Sequence, residues 1–61
     1  MPTIEIKWYE GRSKEQKSKL AKALTEAVVE IGETTPEATQ IIFHDIKKSN
    51  WAHAGKLVSE N

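Results

Sequence analysis

The sequence contains no cysteine, only two histidines and a single arginine in 61 residues. Without cysteine the chain forms neither disulfides nor thiolate metal sites, and His44 and His53 are too few for a self-contained zinc site, so we predict no metal. The formal net charge is zero, which argues against a nucleic-acid or anionic-membrane partner. The apolar runs are too short to span a membrane and the start lacks a signal segment, so we expect a cytoplasmic protein.

The small size of the chain constrains how it is stabilised. Residues 1–61 leave room for one domain only. Such a domain buries a modest fraction of its surface and usually needs a disulfide, a metal or oligomerisation. Because the sequence supports neither a disulfide nor a metal site, self-association is the expected source of stability.

The first half of the chain predicts a strand and then a helix. Residues 3–9 alternate, with Ile4, Ile6 and Trp8 on one face, which is typical of a strand, and we expect this strand to begin at Pro2. Ser13 and Gln16 have the spacing of a capping box, in which each side chain bonds the other's backbone N–H. The helix that follows carries one apolar stripe, made of Leu20, Ala23, Leu24, Ala27, Val28 and Ile31. Gly32 lies where a left-handed C-terminal cap is expected.

The second half predicts another strand and a short arm. Pro36 suits the first position of a short helical turn. Residues 40–46 then read as a strand with apolar residues on both faces, so both faces should be covered. Residues 51–58 are interrupted by Gly55 and favour a hairpin or arm over a helix. We therefore predict an α+β fold: a β-α-β subunit with parallel strands and a short C-terminal hairpin or arm, oligomeric because one helix covers only one sheet face.

Pro2 is the first candidate for chemistry. Removal of an initiator methionine before proline exposes a secondary amine at the start of a strand. An ordinary α-amino group titrates near about 7.7–8.0, and an apolar pocket or a nearby cation lowers that value. A neutral amine near neutral pH can take a proton from one atom and return it to another. Met-Pro is also simply how many chains begin.

Arg12 and Trp51 are the next candidates. A guanidinium matches a carboxylate with two parallel hydrogen bonds, which lysine cannot imitate. The alternative is a solvated loop arginine near a helix start. Trp51 could wall a pocket, anchor a subunit interface, or do both. For His44 the simple interpretation is a place on the interface-facing side of the second strand, and His53 could line a pocket or face water.

Together these features resemble the 4-oxalocrotonate tautomerase family over essentially the whole chain. The resemblance rests on the order and spacing of several motifs: Pro2, Glu10-Gly11-Arg12-Ser13 followed by Glu15-Gln16-Lys17, Gly32, Pro36-Glu37, and Asn50-Trp51 followed by Gly55. It implies a β-α-β subunit in a hexamer, usually a trimer of dimers. It also implies a cofactor-independent isomerase, with a place in aromatic hydrocarbon catabolism.

The resemblance also implies roles for individual residues. Pro2 would move a proton between positions of a 2-hydroxy-dienoate or a related 2-oxo acid, and Arg12 would hold a substrate carboxylate. Trp51 would close the pocket, while Tyr9 and His53 match apolar lining positions and make this pocket wetter. Gln40 departs from the family, which carries a second arginine there, and this puts turnover of a dicarboxylate in doubt.

Two other functions fit the same scaffold. In a hydratase- or dehalogenase-like enzyme, protonated Pro2 and Arg12 would add water, although no residue clearly takes the place of the carboxylate that activates water in such relatives. Alternatively, the chain is a non-catalytic subunit that contributes Arg12 and Trp51 to a partner chain's site.

Overall fold

A computed structural model describes residues 2–60 and shows two parallel strands joined through one helix, followed by a small hairpin. In chain order the elements are β1 (Thr3–Tyr9), α1 (Lys14–Gly32), β2 (Gln40–Ile46), β3 (Ala52–His53) and β4 (Lys56–Leu57), with 3₁₀ turns at Pro36–Ala38 and Lys48–Asn50. The predicted β-α-β fold, its short turn at Pro36 and its C-terminal hairpin are confirmed. The predicted removal of Met1 concerns a residue outside the described part of the chain.

The parallel sheet fixes which residues share a face. The register runs from Thr3 opposite Gln40 to Tyr9 opposite Ile46. Backbone bonds extend the ladder at both ends, from Gln40 N to Pro2 O at 2.9 Å and from Glu10 N to Ile46 O at 3.0 Å. The register therefore places the alternating residues of β1 and β2 side by side on the same two faces of the sheet. Helix α1 lies over one of these faces, and the other face is open.

Helix α1 begins as the sequence predicts. The Ser13 Oγ accepts from Gln16 N at 3.1 Å, and Gln16 Oε1 accepts from Ser13 N at 2.8 Å, which completes the capping box. This exchange satisfies two of the backbone N–H groups that a helix start leaves without partners.

The face of α1 that covers the sheet is only partly the predicted stripe. Leu20, Leu24 and Val28 are half-buried as expected, whereas Ala23 and Ala27 are exposed and Ile31 is 83% exposed. The covered face is centred on the residues at 17, 21, 24 and 28, where Lys17 pairs with Asp45 on β2. Ala23, Ala27 and Ile31 follow one another at four-residue spacing along the far edge of the apolar stripe, so the sheet does not cover them.

The end of α1 corrects the prediction for Gly32. Gly32 is the last helical residue, and the left-handed cap is Glu33, at φ 53° and ψ 52°, whose N–H bonds to Val29 O. Because Glu33 N–H continues the helical ladder, the left-handed residue falls one position later than the glycine. A residue with a Cβ is strained in this region, where glycine is not.

A left-handed cap at Glu33 and one at Gly32 predict opposite effects of Gly32→Ala on stability. We expect Glu33→Gly to raise the free energy of unfolding by about 0.5–1 kcal/mol, because the left-handed strain is removed. Gly32→Ala should also stabilise, by up to about 1 kcal/mol, because alanine is the better helix former. A Cβ at Gly32 would meet Val28 Cγ1 at 3.9 Å, an ordinary contact. Chemical denaturation measures the free energy of unfolding of both variants. If Gly32→Ala destabilises the protein, the left-handed cap is at Gly32 and not at Glu33.

The C-terminal arm is a tight hairpin. Ala52 pairs with Leu57 and His53 with Lys56, antiparallel. The two turn residues, Ala54 and Gly55, have φ of 54° and 84°. Two successive positive φ values are what a two-residue type I′ hairpin turn requires, and Gly55 supplies one of them without strain.

Residues 2–60 by themselves enclose no core. None of the residues 2–60 is fully buried, and the open sheet face leaves Ile42 43% exposed. The Cα radius of gyration is 14.6 Å, whereas about 10.5 Å is typical of a globular domain of this length. The molecule is thin and elongated, with extents of 43 × 24 × 14 Å. These dimensions agree with a subunit that completes its core against other chains.

Within residues 2–60 no helix is both long and apolar enough to cross a membrane.

Candidate active site

Pro2 and Gln40 lie together at the first end of the parallel sheet. The Gln40 N–H donates to Pro2 O at 2.9 Å, and Gln40 faces Thr3 in the strand register. Pro2 is half-buried and Gln40 is exposed. The position that departs from the family pattern is therefore adjacent to the predicted base within one chain.

Tyr9 and Trp51 form an aromatic corner at the opposite end of the sheet. Their ring centroids are 4.9 Å apart and the planes meet at 69°, an edge-to-face arrangement. The Lys48 ammonium lies 5.7 Å from the Tyr9 ring centroid. His53 follows on β3, where it is exposed. The corner therefore combines two aromatic rings with a cation.

Arg12 lies at this same end, against Trp8. Gly11 has a φ of 117°, which favours glycine and lets the chain turn directly after β1. The Arg12 Cζ atom is then 5.2 Å from the centroid of the Trp8 ring, a cation–π distance. Arg12 is thus not an unsupported loop side chain.

Trp8 belongs to a polar cluster that the sequence did not reveal. Its Nε1–H donates to Asp45 Oδ1 at 2.6 Å, and Lys17 bonds the other carboxylate oxygen. The bond from Lys17 first, and then the bond from Trp8, hold the pKa of the Asp45 carboxyl below its ordinary value. The carboxylate is therefore ionised at neutral pH, and its contacts are lost only in acid, as the pH falls through that lowered pKa.

His44 lies on the open face, as its alternation with Ile42 and Ile46 predicts. Its Nε2 is 2.8 Å from Glu5 Oε1, across the two strands. The pair gives that face a polar patch beside Ile42. Within residues 2–60 no three histidine, aspartate or glutamate side chains are grouped so that they could hold a metal ion.

The predicted site residues thus fall into two groups in one chain. Pro2 and Gln40 precede or begin the strands, and Tyr9, Arg12 and Trp51 follow or end them. The seven residues of β1 separate the groups by roughly 20 Å or more, at about 3.3 Å per residue. A small substrate cannot contact both groups of the same chain. A neighbouring chain in the opposite orientation would bring one group of each chain together.

The comparisons with known proteins identify the family. A model of the family described as "Tautomerase enzyme" matches residues 2–61. The chain is 37% identical over 60 residues to a 2-hydroxymuconate tautomerase of Bacillus subtilis, an alignment that covers 98% of this chain and 97% of the relative. The chain belongs to the tautomerase family, whose enzymes are isomerases.

Solved structures agree with this assignment. A homologue of 4-oxalocrotonate tautomerase superimposes with a TM-score of 0.92 at 35% identity, covering 98% of both chains. A heterohexamer 4-oxalocrotonate tautomerase from Chloroflexus aurantiacus superimposes with a TM-score of 0.88 at 30% identity, covering 98% of this chain and 97% of that one. The predicted resemblance to the 4-oxalocrotonate tautomerase family is confirmed.

Proposed function

We propose that this protein is a cofactor-independent keto-enol tautomerase that acts on a 2-hydroxy-dienoate or a related 2-oxo acid. Pro2 is its general base and acid, and Arg12 binds a substrate carboxylate. The observation that carries the proposal is the position of Pro2 directly before β1, in a chain that matches the tautomerase family from residue 2 onward.

The proton transfer needs only the amine of Pro2. Once Met1 is absent, the Pro2 nitrogen is a secondary amine that removes the proton of the enol hydroxyl. The electrons of that O–H bond form the ketone, the double bonds shift along the conjugated chain, and a distal carbon takes the proton from Pro2. The amine returns to its neutral form, so base and acid are the same atom and no other reactant is consumed.

The opposite end of a neighbouring chain supplies binding groups in this proposal. The Arg12 guanidinium presents paired N–H donors to a carboxylate. Trp51, in edge-to-face contact with Tyr9, closes the pocket and limits the access of water to the amine. Tyr9 and His53 line the pocket, and their polar groups make it wetter than an apolar lining would. Exclusion of water favours the uncharged amine, which is the form that can act as a base.

The direct test uses the substrate named in the relatives, 2-hydroxymuconate. Its conversion to the conjugated ketone changes the ultraviolet absorbance, and the rate with Met1-free protein should exceed the uncatalysed rate many-fold. Rates equal to the uncatalysed one, with 2-hydroxymuconate and with the enol of a monocarboxylate such as pyruvate, would contradict the proposal.

We also propose a homohexamer, a trimer of dimers, as the working assembly. The open sheet face, the hairpin and the separation of the two residue groups all favour it. A stable monomer would expose these surfaces, so folding should be coupled to association. Sedimentation at micromolar protein should give about six copies per particle, or at least a dimer, and a folded monomer would contradict this architecture.

The hexamer of one relative contains two kinds of chain, as its name states. For this protein the corresponding alternative is a non-catalytic subunit that serves a partner chain's site. Mass spectrometry of the complex purified from its native cells separates the two assemblies. A second tautomerase-family chain in that complex, together with inactivity of this chain alone, would favour the alternative.

Gln40 predicts a preference among substrates. Beside Pro2 this pocket lacks the charge that a second carboxylate requires, and an unpaired carboxylate is costly to desolvate. Gln40→Arg should raise kcat/KM for a dicarboxylate dienol about tenfold, since one charged contact is worth on the order of 1.4 kcal/mol. A monocarboxylate should gain far less and serves as the control. If the dicarboxylate gains nothing, either residue 40 does not face the pocket or another cation fills the role, and Lys47 and Lys48 are the first to test.

A further inference from the structure

Arg12 lies on the loop after β1 and has an aromatic contact within its own chain. A long arginine side chain after a glycine turn is expected to sample many rotamers, each of which lowers the fraction ready to bind. Here the guanidinium carbon lies 5.2 Å from the Trp8 ring centroid. The contact selects one region of space for the charge, at the end of β1.

The Trp8 ring is itself held in place from two sides. Its Nε1–H bonds Asp45 Oδ1 at 2.6 Å, because Trp8 and Asp45 are neighbours on the same face of the parallel sheet. Phe43 stacks on the ring, with centroids 5.3 Å apart and planes 21° from parallel. Lys17 ties the other oxygen of Asp45 to helix α1. The orientation of the indole is therefore fixed by β2 and by α1.

We propose that Trp8 is a positioning residue for Arg12: the indole face holds the guanidinium at the end of β1, and Asp45 and Lys17 hold the indole. The inference rests on the proposed function, in which Arg12 binds a substrate carboxylate. A guanidinium held over a ring by a cation–π contact still has N–H donors that point away from the ring and can make a bidentate contact. Trp8 thus contributes to carboxylate binding without touching the substrate.

A positioning role for Trp8 and a purely structural role predict different effects on the kinetics. Loss of the ring should weaken binding of a carboxylate substrate, with little change in kcat. It should leave a substrate without a carboxylate unaffected, because such a substrate makes no use of Arg12. An effect through Arg12 must also disappear when Arg12 is absent.

The experiment is a double-mutant cycle with Trp8→Leu, Arg12→Ala and the double variant, in Met1-free protein. 2-Hydroxymuconate and the enol of acetylacetone, which has no carboxylate, are the two probes. Trp8→Leu should raise KM for 2-hydroxymuconate about two- to fivefold, the change that an exposed cation–π contact represents. In the Arg12→Ala background the same substitution should change KM by less than a factor of about 1.5.

Two further variants separate positioning from general loss of packing. Trp8→Phe keeps an aromatic ring but lacks the Nε1–H, so its KM for 2-hydroxymuconate should lie between those of the native protein and Trp8→Leu. Ile6→Ala removes apolar surface from the same face of β1 and should lower stability without changing the ratio of KM values for the two probes. If Trp8→Leu does not fold, the comparison of Trp8→Phe with Ile6→Ala carries the test.

The outcomes distinguish this inference from the proposed function. If Arg12→Ala leaves KM for 2-hydroxymuconate unchanged, the carboxylate role of Arg12 fails and the positioning role fails with it. If Arg12→Ala raises KM but Trp8→Leu acts equally with and without Arg12, only the positioning role is overturned. A lower KM for Trp8→Leu would also overturn it, because the ring would then be sequestering the arginine.

Discussion

Protein that retains Met1 is expected to lose tautomerase activity by at least about 10²-fold, the lower end of what general acid–base catalysis contributes. A peptide bond to methionine converts the Pro2 nitrogen into an amide, which has no useful basicity near neutral pH. The fold should be unaffected, because Pro2 O still accepts from Gln40 N. Intact mass measures the fraction of processed chain, and 2-hydroxymuconate turnover should scale with that fraction.

A matched control keeps every residue in place. A chain with an uncleaved N-terminal extension ahead of Pro2 should be as inactive as the Met1-retaining chain. Proteolytic removal of the extension up to Pro2 should restore full activity. Equal turnover before and after cleavage would mean that Pro2 is not the base, and the proton transfer would need another group.

Two individually impaired chains are expected to recover activity when they are assembled together. The first carries the uncleaved extension and an intact Arg12, and the second has a free Pro2 and Arg12→Ala. Arg12→Ala alone should weaken the binding of a carboxylate substrate by about 1.5–3 kcal/mol, roughly 10- to 150-fold. Because the proposed site joins opposite ends of two chains, a mixed pair should contain one site with both native groups.

The amount recovered follows from the pairing. In a two-fold arrangement each pair has two sites, and random mixing makes half of the pairs mixed, so about a quarter of all sites should be intact. The chains should be unfolded, mixed in equal amounts and refolded, with each variant refolded alone as the control. Activity that equals only the average of the two separate preparations would place Pro2 and Arg12 of one site in the same chain.

Much of the fold could be predicted because the decisive signals are local. The alternation in β1 depends on neighbouring residues, and the Ser13–Gln16 capping box spans a single turn. The exact cap and the helix rotation could not be predicted in the same way. Glu33 takes the left-handed conformation because the ladder runs one residue further. The face of α1 that meets the sheet includes Lys17, whose partner Asp45 is 28 positions away in sequence, and local patterns do not reveal such a contact.

Only part of the candidate site could be predicted from the sequence. Pro2, Arg12 and Trp51 have chemistry that identifies them as candidates, but their spacing along the chain does not say whether they meet. The support of Arg12 by Trp8 is even less visible, since it depends on the register that places Trp8 beside Asp45. Register is a property of the paired strands and not of either strand alone.

The length of β1 also bears on how such proteins diversify after gene duplication. A strand with the proposed proton-transfer residue before it and the proposed anion-binding residue after it encodes two separable contributions in one gene. If each site draws on two chains, a duplicated copy can lose one contribution while it still supplies the other to its sister chain. Selection then acts on each end of the strand separately, and two diverged copies can become mutually dependent without any change in the fold.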